Sequence, residues 1–135
     1  MPTTSRDFQR AGLQRLDAAE YLLRGGFNLD ATYLAGYTIE CALKALILEL
    51  TPVADRPNVL LKITSGSTMH RTEVLLGKLR DLGVSLPARL VPRVRRAAAW
   101  TTQLRYETGR SDTGETRAFL KTAKAVYDWV EGHLP

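Results

Sequence analysis

The chain has 135 residues, 44% of them hydrophobic and 24% charged, with a formal net charge of +5. That length fits one domain with roughly two thirds of its unfolded surface buried in one core, and the composition is ordinary for a soluble globular protein. Cys41 is the single cysteine, so no internal disulfide can form and nothing argues for secretion. The opening MPTTSRDFQR sets no apolar segment behind a basic one, so no signal peptide is expected and the protein is read as cytoplasmic.

In chain order, the first helix is expected over residues 5–24. Thr4 and Asp7 resemble a capping pair, Phe8, Leu16, Ala19 and Leu23 recur at helical spacing, and Gly25-Gly26 ends it. The second runs from about Asn28 to Leu50, with Asn28 or Asp30 as cap and Pro52 as stop. Residues 51–69 read as a long connection, NVLLKI within it forming a helical turn or an extended piece, and loops of that length are often functional. The third helix spans about 71–82, with Val74, Leu75, Leu79 and Leu82 on one side. The fourth spans about 88–104, with a stripe of Leu90, Val94, Ala98, Thr101 and Leu104 and with Pro92 either in its first turn or kinking it. The fifth spans about 112–132, opened by a capping box of Asp112 and Glu115, with Phe119, Ala123, Val126 and Val130 as its stripe. No strand-like alternation competes. The fold class is all-α, an up-and-down bundle of four to five helices with one long loop.

Charge is concentrated in one place. Residues 87–110 carry six arginines against Glu107, a local +5, while residues 1–51 and 111–135 each sum to −1 and residues 52–86 to +2. A local positive field favours an anionic partner, and arginine suits forked contact with phosphate or carboxylate. Arg89, Arg93 and Arg96 recur at i, i+4 and i+7, and Trp100 lies one turn further on, where it either stacks on a base or packs in the core or against a second subunit. The arginine face is either this binding surface or simply solvated. Arg105, Tyr106 and Arg110 continue the basic character.

The second helix is apolar nearly all round, so it must be covered on more than one side. It is central to the bundle or also faces a second subunit. Asp30, Glu40, Lys44 and Glu49 within it make a membrane span unfavourable. Glu40 and Lys44, acid first at i, i+4, suit an ion pair on one helix face. They form either a solvated stripe without chemistry or a support in which Glu40 orients an arginine near a site.

The run ATYLAGYTIECALKALI resembles the signature helix of HEPN domains (higher eukaryotes and prokaryotes nucleotide-binding domains). His70 opening the third helix, Trp100 on the fourth and Arg105-Tyr106 at its end fit the same family in the same order, so the likeness covers essentially the whole chain. The resemblance implies a helical bundle that commonly forms a homodimer, with its cleft at or near the dimer interface. It also implies frequent company with a small nucleotidyltransferase-like protein in toxin–antitoxin or related defence systems.

Many members of that family are metal-independent ribonucleases whose motif is an arginine, four to six residues, then a histidine. The arginine stabilises the phosphate as charge develops, and the histidine moves a proton. Arg105 matches the arginine and is the candidate for phosphate stabilisation. Positions 110 to 112 hold Arg110, Ser111 and Asp112, so the proton-transfer half of the motif is missing. The two histidines, His70 and His133, stand elsewhere and read as structural or solvated unless the fold brings one to Arg105.

No metal-ligand cluster is visible, no cofactor is expected, and Cys41 reads as a small core residue. Three functions follow. The first is a non-catalytic module that binds RNA, a nucleotide or a partner protein through the basic end of the fourth helix. The second is a metal-independent ribonuclease with a displaced acid–base group. The third is a structural partner of a nucleotidyltransferase-like protein.

Overall fold

The computed structural model describes residues 2–65, 71–103 and 112–135, the side chains of 99–103 excepted. Six α-helices and one 3₁₀ turn fill these residues, with no strand among them.

Helix α1, Ser5–Arg24, begins at a reciprocal cap. The Asp7 amide donates to Thr4 Oγ1 at 3.1 Å, and the Thr4 amide donates to the Asp7 carboxylate at 3.2 Å. Both satisfy helix-end donors that would otherwise lack partners. The chain reverses through Gly26, whose φ of 83° favours glycine.

Helix α2, Asn28–Leu50, has the expected bounds. Neither Asn28 nor Asp30 is its cap, however. Phe27 occupies that position without a side-chain hydrogen bond, and Asn28 Nδ2 instead donates to Thr113 Oγ1 at 3.0 Å. At the other end, Arg56 reaches back with Nε to the Thr51 carbonyl at 3.0 Å and Nη2 to the Glu49 carbonyl at 3.1 Å. A guanidinium there covers late carbonyls and opposes the negative end of the helix dipole.

Within the connection expected over 51–69, residues 53–64 are helical, the helical alternative for NVLLKI, and 66–69 lie outside the described residues. Val53–Asp55 forms the 3₁₀ turn and Arg56–Thr64 forms α3. Pro57, near the start of α3, lacks a donor that the first turn does not need. Only Ile63 of this helix is fully buried, so its apolar signal is short.

Helix α4 is Thr72–Asp81, α5 is Val91–Gln103 and α6 is Thr113–Glu131. Pro92 sits in the first turn of α5, which sets its start at Val91. Arg89 therefore precedes the helix rather than sharing its face.

Helix α2 packs chiefly on α1, then on α6 and α4. Ser5 Oγ meets Glu49 Oε2 at 3.2 Å and Thr38 Oγ1 meets the Gly12 carbonyl at 2.9 Å, so α1 runs antiparallel to α2. Arg6 pairs with Glu131 at 2.6 Å, so α1 is also antiparallel to α6. This layout buries most of α2 within one chain. By length and composition α2 could cross a membrane, yet 67% of its apolar window is buried in the bundle.

The stripes mostly hold. Phe8, Leu16 and Ala19 of α1 are in the core, with Leu23 only partly buried against it. All four α6 positions are buried. On α4, Leu76 joins Leu75 and Leu79 in the core while Leu82 is exposed. Leu90, just before α5, and Val94 on it are followed by Ala97 in place of Ala98, while the Thr101 side chain and Leu104 lie outside the described residues.

Candidate anion-binding cleft

Successive residues of an α-helix turn by 100°, so Arg93 and Arg96 project to one side of α5 and Arg95 to another. Arg95 Nε turns to Glu73 Oε1 of α4 at 3.0 Å. That pair is 60% and 53% exposed, so it contributes under about 1 kcal/mol. Arg93 turns the other way, its Nε donating to Thr122 Oγ1 of α6 at 3.2 Å.

On that side α5 and α6 bound a cleft of about 270 Å³. Arg93, Arg96, Lys121 and Glu115 line it among charged residues, three cations with one carboxylate. Neither Arg96 nor Lys121 has a carboxylate partner among the described residues. Ala97, Ala118 and Phe119 supply its apolar lining. Thr32, Thr116 and Thr122 supply buried hydroxyls. Thr32 Oγ1 donates to the Asn28 carbonyl at 3.0 Å and lies 3.3 Å from Thr116 Oγ1, and Thr122 Oγ1 donates to the Ala118 carbonyl at 3.1 Å. These hydroxyls are held by their own helices, which stiffens the floor. A positively charged mouth over an apolar base can take an anion attached to a small flat or aliphatic group.

Of the residues singled out in the sequence, the fold brings Arg93 and Arg96 together at this cleft. Arg89 is exposed in the turn before α5. Arg105, Tyr106, Arg110, Ser111 and His70 lie outside the described residues, as does the side chain of Trp100. Asp112 caps α6, its Oδ1 accepting from the Gly114 amide at 3.2 Å, while the Glu115 expected to complete the box lines the cleft. His133 lies beyond the far end of α6. Its Nδ1 is 2.9 Å from the Trp129 carbonyl and its ring lies 4.8 Å from the Trp129 ring. Eleven residues separate it from Thr122, roughly 16 Å at the helical rise, so it is remote from the cleft.

Lys44 Nζ meets Glu40 Oε2 at 2.9 Å, as the spacing predicts. The pair does not form a solvated stripe, since the side chains are only 5% and 14% exposed. It does not line the cleft either. Cys41 is half-buried rather than core. Burial, with the neighbouring Glu40 charge, pushes its thiol up to about 11, so it is protonated at neutral pH and a poor nucleophile. No group of metal-ligating side chains occurs among the described residues.

Sequence reasoning missed Lys121. The segment 111–135 sums to −1, and that total conceals a cation placed opposite the arginines. The usable signal was periodicity, because Lys121 falls between the core positions Leu120 and Thr122 on the α5-facing edge of α6.

The HEPN domain family model matches residues 5–133 of the chain. Comparisons with curated proteins and with solved structures return no significant match.

Proposed function

The chain belongs to the HEPN domain family, and from that premise we propose that it is a non-catalytic member that binds RNA or nucleotides through the basic side of α5 and α6. The observation that carries the reading is the convergence of Arg93, Arg96 and Lys121 on one cleft. The sequence adds that Arg105 is followed by Arg110, Ser111 and Asp112 where the family's ribonucleases place a histidine. On this reading the protein holds phosphate, and the motif positions that would carry the proton-moving histidine are taken by other residues. A homodimer in a toxin–antitoxin or defence setting fits the family, and an acidic nucleotidyltransferase-like protein would meet the same basic surface.

The test incubates end-labelled mixed-sequence RNA with wild type, Arg105→Ala and Arg96→Ala in EDTA, reading cleavage and binding on the same samples. RNA should stay intact and bind more weakly as salt rises, because phosphate contacts release counterions. Arg96→Ala should lower the salt slope by about one phosphate contact. Cleavage lost in Arg105→Ala would establish the metal-independent ribonuclease instead. Absence of RNA binding, or binding indifferent to salt, would sink the proposal and leave the partner-protein role.

A further inference from the structure

We propose that the α5–α6 cleft is a one-nucleotide pocket that takes the base and ribose of an unpaired ribonucleotide, with its phosphate at the mouth between Arg96 and Lys121. This rests on the RNA-binding reading and adds which part of the RNA enters the protein, and in what form.

The volume of about 270 Å³ falls just below the roughly 300 Å³ at which small-molecule sites begin. One nucleotide suits such a space and a base-paired helix does not. A site that met only the phosphate backbone would need no apolar lining, yet Ala97, Ala118 and Phe119 line this one. Arg93 is tethered through Nε to Thr122, so its planar guanidinium is held at the cleft wall, where a flat base can stack. Glu115 is the discriminating group. A carboxylate among three cations weakens a site built for anions alone. It is an acceptor only, and it matches the hydroxyls of a ribose. The 2′-OH is the group by which a protein tells RNA from DNA.

The experiment measures binding of AMP, dAMP, a single-stranded RNA and a duplex RNA to wild type, Ala118→Leu, Lys121→Ala and Glu115→Gln. Ala118 lines the cleft from an exposed position of α6, so leucine there fills space without entering the core. Helicity and melting temperature confirm the fold of each variant. Ala118→Leu should weaken AMP and single-stranded RNA about tenfold or more while leaving duplex RNA unchanged. Lys121→Ala should weaken AMP whether or not the leucine variant folds. Glu115→Gln should reduce the preference for AMP over dAMP.

If single-stranded RNA binds with salt dependence but AMP does not, the pocket is disproved and the surface-binding proposal stands. Equal loss of duplex and AMP binding in Ala118→Leu would also overturn the pocket. If no nucleic acid binds in any form, the proposed function itself fails.

Discussion

Gly12 marks the closest approach of α1 to α2. A Cβ added there would lie 3.2 Å from Cys41 Cβ and 3.4 Å from the Thr38 carbonyl oxygen. Both neighbours are backbone or one bond from it, so neither can swing away, and Thr38 is also tied to the Gly12 carbonyl. Gly12→Leu should therefore destabilise by about 1–3 kcal/mol, the usual cost of overpacking. Gly77 in α4 meets only the tip of Arg80, at 3.7 Å. There Gly77→Ala should stabilise by about 0.5–1 kcal/mol through helix propensity. Urea denaturation of the two variants checks both signs, and the reverse order would contradict the packing described. The Lys44–Glu40 pair is a different kind of constraint. Taking two charges out of water is costly, and the pair recovers that cost only through close geometry. It is better understood as fixing the rotation of an otherwise apolar α2 than as a source of stability.

Between elements, the polar tie of α1 to α6 controls a pH response. Glu131 accepts from Arg6 at 2.6 Å and from Gln9 Nε2 at 3.1 Å. The Arg6 hydrogen bond, then that of Gln9, holds its carboxyl below the ordinary range. A carboxylate with a depressed folded-state pKa adds stability above its unfolded pKa and loses it as pH falls through the folded value. Glu131→Gln should thus lower the melting temperature at pH 7, and the difference from wild type should close below about pH 4. Both partners are 42% exposed, so the effect is screened to about 1 kcal/mol or less. A difference independent of pH would assign the loss to packing.

The elements legible in the sequence were those governed by local chemistry. The Thr4–Asp7 cap, the bounds of α2 and the α6 stripe depend on residues within a turn or two of each other. Helix α3 was legible only as a choice between a helical turn and an extended piece, because nine residues containing Pro57 give too short a period and its tie to α2 runs through Arg56. Asn28 looked like a cap but is drawn away by Thr113, 85 positions distant. The candidate site divided in the same way. Arg93 and Arg96 share a helix and were visible, whereas Lys121 and Glu115 join them only when α6 docks on α5.

Across the whole molecule, α2 is surrounded by α1, α4 and α6, with α5 completing the side on which the cleft opens. This accounts for an apolar helix carrying so little polar surface, because most of its cover comes from within the same chain. The cleft lies against the first half of α6, whereas the Arg6–Glu131 tie lies at its end. The cleft and the closure of the bundle thus occupy different parts of one helix, and changes at one should leave the other intact.

The tie has a topological corollary. Arg6 also donates to the Pro135 carbonyl, so the first and last turns of the chain are neighbours and the backbone nearly traces a ring. Joining residues 2 and 135 through a short peptide would ask little of the native state while denying the unfolded chain most of its end-to-end freedom. For a loop of more than a hundred residues, that restriction is worth up to about 4–5 kcal/mol. A head-to-tail cyclised protein should melt well above the linear one. An unchanged melting temperature would mean that the two ends part readily in the folded protein.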